Sequence, residues 1–187
     1  MKNVLIVGTS KSKQTDAYYI KAKDKFWGLI YQANLINEMN RPFYPEEYKI
    51  FNEKTGIYFY EFTDNIVSSD KALKESELRK IERGVKELLK ILDDTNAPQA
   101  IALNGKTAAG WFYQYIKEFS IRKNPGNYYN KKLKGNYGKI TIYNKTEIWV
   151  LPNTSGAASG HWKKVEGDKL WMEFWNHLKN KGFTNNI

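Results

Sequence analysis

Four short apolar runs in this chain each end on a polar loop, and that repeated ending constrains the fold more than any other feature. "VLIVGTS" closes on Gly8, Thr9 and Ser10, "GIYFYEFTDN" on Thr63, Asp64 and Asn65, "AIALNGK" on Asn104, Gly105 and Lys106, and "IWVLPNTSG" on Asn153 to Gly156. Runs of this length, rich in branched and aromatic residues, read as strands. Segments of helical spacing lie between them. Strands alternating with helices predict an α/β fold, a three-layer sandwich with a central, mainly parallel sheet. The carboxyl ends of parallel strands share one edge, so the four loops are expected to meet where open α/β sheets bind ligands.

Asn3 to Gly8 reads as the first strand, Phe26 to Ile36 as an apolar helix and Gly56 to Thr63 as the second strand. Leu78, Ile81, Val85, Leu88, Leu89 and Leu92 recur at steps of three and four, the pattern of a long amphipathic helix, with Ser68, Ser69 and Asp70 offering N-caps. "PQAIALNG" is a third strand and "KTAAGWFYQYIKEF" the helix after it. "KITIYNKTEIWVLPN" is a hairpin or two short strands, and "KLWMEFWNHLKN" closes the chain as a helix. Arg122 to Gly138 reads as a long loop. The 187 residues suffice for one core, and a single domain over residues 1–187 is expected.

Charge and composition narrow the partners. A formal net charge of +10 favours anionic ones, and 13 Tyr with 6 Trp favour nucleic acid, because aromatic rings stack on bases. The absence of cysteine excludes disulfides, thiolate metal sites and cysteine nucleophiles; with His161 and His177 as the only histidines, a multi-histidine metal site is not expected. The apolar start is too short for a signal sequence or a membrane span. A soluble, cytoplasmic monomer without membrane association is the expectation.

Common phosphate motifs do not fit. Gly105-Lys106-Thr107 lacks the earlier glycine of a P-loop, since Ala100 stands there, and "GTSKSK" lacks the second and third glycines of a dinucleotide fingerprint, leaving an ordinary strand-to-helix turn. Between Lys117 and Lys145 lie eight Lys or Arg residues against one acid, Glu118, interleaved with Tyr128, Tyr129, Tyr137 and Tyr143. That mixture suits a nucleic-acid groove, and equally a solvated loop. Lys11, Lys13, Lys21, Lys23 and Lys25 form a second basic run. His177 reads as a packing or surface residue, and His161 as a surface residue or one that reaches a phosphate.

"FWGLIYQANL", "FTDNIV", "PQAIALNGKTA" and "IWVLPNTSG" stand in the order and spacing of one known family. From about Val4 to Leu178 the chain resembles the uracil-DNA glycosylase superfamily, most closely its mismatch-specific thymine/uracil branch. The resemblance implies a base pocket at the carboxyl ends of a parallel sheet. It also implies an enzyme that extrudes a nucleotide from DNA, holds the base against an aromatic ring and hydrolyses the N-glycosidic bond with neither metal nor cofactor.

Carried over by position, the first motif of that branch falls on Gly8, Thr9, Ser10, Lys11 and Ser12. Ser10 stands where the family has the asparagine that places the attacking water, and the Pro-Gly turn is missing. Tyr19 falls at the ring that stacks on the flipped base. Asp24 occupies an asparagine position in "N-x-F-W", so Asp24 and Asp16 are candidate replacements for the lost amide, or else solvated or capping carboxylates. Asn153, Thr154, Ser155 and Gly156 match the second motif, with Asn153 approaching base and sugar, while Lys11, Ser155, Gly156, Ala157, Ser159 and His161 face DNA and its phosphates. Ala157, at the wedge position, is small and fills a vacated stack poorly, which points to weak duplex extrusion or a substrate that is single-stranded or not polymeric.

The resemblance leads to a DNA glycosylase acting on uracil or another modified or mispaired base, with DNA as partner. The alternative is a protein of the same fold that binds a nucleobase, nucleotide or damaged DNA without cleaving it. Loss of the motif-one asparagine favours the second.

Overall fold

A computed structural model describes residues 3–10, 25–36, 41–64, 73–155 and 159–184. Along them run β1 (Val4–Ser10), α1 (Phe26–Gln32), α2 (Tyr48–Thr55), β2 (Ile57–Thr63), α3 (Glu75–Asp93), β3 (Ala100–Asn104), α4 (Lys106–Glu118), α5 (Pro125–Lys132), β4 (Gly138–Tyr143), β5 (Thr146–Leu151), α6 (Ser159–Lys164) and α7 (Gly167–Lys181). The strands form one sheet in the order β2-β1-β3-β5-β4. All neighbours are parallel except β4, which returns antiparallel beside β5. Val4 pairs with both Ile57 and Ala100, and Ala100 with Glu147, so β1, β3 and β5 are aligned; β3 and β5 end level with Gly8, and β1 continues to Ser10.

Alternate residues of the strands feed two cores, one on each face, which is why the central runs are apolar throughout. Val4, Ile6, Ala100, Ala102, Trp149 and Leu151 pack with α1, α2 and α7. Leu5, Val7, Ile101, Leu103, Ile148 and Val150 pack with α3, α4 and α5. On the first face Phe26 is fully buried, with Trp27, Phe59 and Trp171 meeting it edge-on at 5.3, 5.4 and 5.7 Å. Such pairs each add about 0.5–1.5 kcal/mol to burial. On the second face two glycines allow close approach: a Cβ on Gly84 would lie 2.1 Å from the Phe62 carbonyl oxygen, and one on Gly110 2.0 Å from that of Pro125.

The three-layer α/β architecture is the one the sequence predicts, and the differences lie at element ends and in short helices. The first helix stops at Gln32, four residues before Ile36, because Asn34 turns to φ 47°. Gly56 belongs to no strand; at φ 72° it caps α2, a helix the strand pattern does not reveal. The long helix begins at Glu75, where Glu77 Oε2 accepts the Lys74 N–H at 2.8 Å. Its N-cap is Lys74, while Ser68, Ser69 and Asp70 lie outside the described residues. Arg122 to Gly138 is no continuous loop: Asn124 at φ 62° and Pro125 at the first helical position start α5. The hairpin alternative holds for β4 and β5, joined through Asn144 at φ 52°. No helix among the described residues is long and apolar enough to cross a membrane.

Candidate active site at the carboxyl edge of the sheet

The loop after β5 is held in place by the end of β3. Asn104 is the last residue of β3 and is buried; its Oδ1 accepts the Thr154 N–H at 3.2 Å, and its Nδ2 lies 3.4 Å from Thr154 Oγ1. The Thr154 carbonyl accepts the N–H of Lys25, the residue that caps α1, at 3.1 Å. Trp171 donates its indole N–H to the Pro152 carbonyl at 2.8 Å. With Thr154 fully buried and bonded at N, O and side chain, the neighbours Asn153 and Ser155 are presented outward. Asn153 Oδ1 accepts the Ser155 N–H at 2.9 Å, closing a local turn. Its Cβ also covers Gly105, where an added Cβ would stand 3.0 Å away; Gly105 is at φ 100°, so glycine suits both the backbone and the space.

At the end of β1 the neighbour is a carboxylate. Gly8 pairs in register with Glu61 of β2 and lies one residue beyond the Val7–Leu103 pair, beside Asn104. A Cβ on Gly8 would stand 2.4 and 2.5 Å from Glu61 Oε2 and Oε1. The carboxylate therefore occupies the space a side chain at position 8 would fill. Oε2 is shut off from solvent, while the residue as a whole is half-buried. Thr9 is half-buried beside it.

Beyond β3 the character changes to cationic. Lys106, the first residue of α4, donates to Asn130 Oδ1 at 2.8 Å and holds Nζ 5.3 Å from the ring centre of Tyr137. The Tyr137 hydroxyl lies 2.8 Å from His161 Nε2. Burial, followed by the charge of Lys164, lowers the Lys106 pKa. Burial, then Lys106 and Lys164, lower that of His161. Burial pushes the Tyr137 hydroxyl up to about 12. Among the described residues no three His, Cys, Asp or Glu side chains gather closely enough to hold a metal ion.

Of the residues singled out from the sequence, Gly8, Thr9, Asn153 and Ser155 share this edge, with His161 on α6 at its cationic end. Ser10 and Ser159 have their backbones in β1 and α6, and their side chains lie outside the description. Lys11, Asp16, Tyr19, Asp24, Gly156 and Ala157 lie outside the described residues. His177 is a packing residue, 5.0 Å from the Trp149 ring, with Nε2 2.6 Å from Glu147 Oε2.

Sequence reasoning brings the Asn104–Lys106 loop to this edge but misses Glu61, the staple that Asn104 makes, and the grouping of Lys106 with Tyr137, His161 and Lys164. A signal for the first was present, because Glu61 is the one acid in "GIYFYEFT". Asn104 carries a weaker signal, a polar residue closing a fully apolar run. The joining of Lys106, Tyr137 and His161 across three elements leaves no local trace.

The parallel strands end at Gly8–Ser10, Asn104 and Leu151, with a stapled Asn-Thr-Ser loop over them. The chain fits the model of the Uracil DNA glycosylase superfamily over residues 1–179, nearly its full length, and it belongs to that superfamily.

Proposed function

We propose that the protein is a DNA glycosylase of the mismatch-specific thymine/uracil kind, which excises uracil or another modified or mispaired base from an extruded nucleotide. Membership of the superfamily supports a DNA glycosylase-like function with DNA as the partner. The observation that carries the finer reading is the staple on Thr154, which orders the second motif beside the end of β1. A site that must meet a flipped base gains from donors and acceptors fixed before it arrives.

In the reaction the bond from C1′ to the base nitrogen breaks and its electron pair leaves with the base. A water oxygen then bonds to C1′, and its proton passes to a carboxylate or to the departing base. Tyr19 stacks on the base and Asn153 meets its edge. Ser155, Ser159, His161 and Lys11 face the phosphates, while Gly156 and Ala157 enter the groove. Ser10, Asp16 and Asp24 are the groups that meet the sugar or place the water. To these we add Glu61, whose carboxylate lies against Gly8. A carboxylate there would both orient water and stabilise positive charge developing on the sugar.

Incubation with oligonucleotides carrying uracil, hypoxanthine, thymine mispairs or hydroxymethylated bases, followed by alkali, is expected to cleave the strand at one of them. Scission on none of them, with intact ligand recovered from a tight complex, overturns the enzyme reading in favour of a sequestering protein.

A further inference from the structure

We propose that Lys106 and His161, which meet at Tyr137, form with Lys164 a subsite for a phosphate group, and that filling it carries a proton onto His161. The proposal deepens the DNA-directed reading above and rests on it for the polymer, while the anion chemistry stands on the contacts alone.

Lys106 is positioned by neutral groups. Its ammonium donates to the Asn130 amide at 2.8 Å and lies over the Tyr137 ring at 5.3 Å. Gly135, at φ 62°, leaves it room, since a Cβ there would stand 3.2 Å from Nζ. An amide and a ring fix the direction of a cation without neutralising it. The same ring carries the hydroxyl that meets His161 Nε2 at 2.8 Å. Lys164 follows His161 by three residues on α6, which places both on one face of that helix.

The groups that face His161 are therefore Lys106 from α4, Tyr137 from the segment before β4, and Lys164 from its own helix. Burial, then the Lys164 charge, favours the neutral form of Lys106, and burial, then the charges of Lys106 and Lys164, favours that of His161. Lys106 and His161 meet at one tyrosine, with the Lys164 charge acting on both, and these bases repel one another until an anion enters. A phosphate offers several oxygens to separate donors at once and reverses the sign of the local field.

Tyr137 allows the proton to be accommodated. While His161 is neutral with Nε2 bare, the hydroxyl donates to the ring. Once Nε2 takes a proton from solvent, it donates to the Tyr137 oxygen, and the hydroxyl proton is released to face the anion. The bond between the two residues persists with its direction reversed.

The test is a proton NMR titration of the two histidines in the full-length protein. One probe is a short single-stranded oligonucleotide of unmodified bases, and the other is sulfate, a tetrahedral dianion that does not itself titrate in this range. Saturating oligonucleotide is expected to raise the His161 midpoint by about one pH unit, the size of effect one close charge produces. His177, on α7 and bonded to Glu147 at 2.6 Å, supplies the reference signal.

In Lys106→Gln the midpoint of the free protein rises, because a like charge has gone, and oligonucleotide affinity falls about tenfold. Lys164→Gln, at an exposed position, gives the same signs and serves if the first variant does not fold. Movement with the oligonucleotide alone assigns the site to backbone phosphodiesters, and movement with sulfate as well assigns it to a terminal or free phosphate. An unmoved His161 midpoint at saturation with both probes overturns the proposal, as does unchanged affinity in both variants. Neither probe carries a base to excise, so this outcome is independent of any glycosylase assay.

Discussion

The two halves of the sheet's carboxyl edge carry opposite charges in their described contacts. Against the end of β1 lies a carboxylate, Glu61 over Gly8; beyond the ends of β3 and β5 stand Lys106, His161 and Lys164. A glycosidic bond that breaks toward an oxocarbenium-like sugar needs negative charge beside the sugar, while the backbone on either side needs positive charge. On the proposed reading one edge meets both needs, because the carboxylate comes from β2 and the cations come from α4 and α6. The halves also differ in their response to salt. Glu61 Oε2 is sealed from solvent and little screened, whereas His161 and Lys164 are exposed and act within about one Debye length, ~10 Å at 0.1 M.

The sharpest way to break this comparison is Glu61→Gln, which keeps the shape and removes the charge. Single-turnover excision is expected to slow about 100-fold, the range for loss of a general base, with DNA affinity held within about twofold. Equal rates would reduce the carboxylate to a packing group. Asn104→Ala removes the staple and leaves the buried Thr154 N–H without its acceptor, so urea unfolding should show a loss of about 1–3 kcal/mol.

Gly8→Ala tests the carboxylate's position rather than its charge. The new Cβ meets only the far end of a flexible side chain, so the carboxylate swings aside; excision is expected to fall about tenfold, with a stability change below about 1 kcal/mol. On the cationic half, Lys164→Gln should reduce the slope of log affinity against log salt by about one, a single phosphate contact.

A control lies at the opposite edge, where Glu147 meets Lys139 at 3.0 Å and His177 at 2.6 Å. Burial raises the Glu147 pKa, but hydrogen bonds from Lys139, Trp149 and His177 bring it below the ordinary 4.5. The stability it contributes is present above that value and is lost as pH falls through the lowered one. Unfolding curves of the parent and Glu147→Gln should thus differ near pH 6 and converge in acid, with excision per folded molecule unaffected.

These residues also show why the sequence discloses some features and hides others. The parallel strands and α3 announce themselves because their burial repeats along the chain, as in Ile81, Val85, Leu88 and Leu92. Helix α5 does not, since what holds it is remote: its Tyr129 is buried beside Tyr113 of α4, and its Pro125 is pressed against Gly110 of the same helix. The start of α3 follows the same rule, set by a glutamate reaching back to Lys74 where a serine or aspartate cap looks more natural. In the site, the Asn153–Ser155 loop is legible as a motif, while the use of Glu61 depends on which residue the neighbouring strand places opposite it. Register between strands is a long-range property, and a single chain read locally does not contain it.

The hydrogen bond from the Lys25 amide to the Thr154 carbonyl joins the entrance of the first helix to a loop nearly 130 positions away in the sequence. Two motifs that could have drifted apart share one rigid frame, whose loss of conformational freedom is settled when the chain folds and not when a nucleotide arrives. If the protein extrudes a base as proposed, the free energy of the encounter is left for pulling it out of its stack, and a mutation that loosens this joint should weaken extrusion before it touches the chemistry.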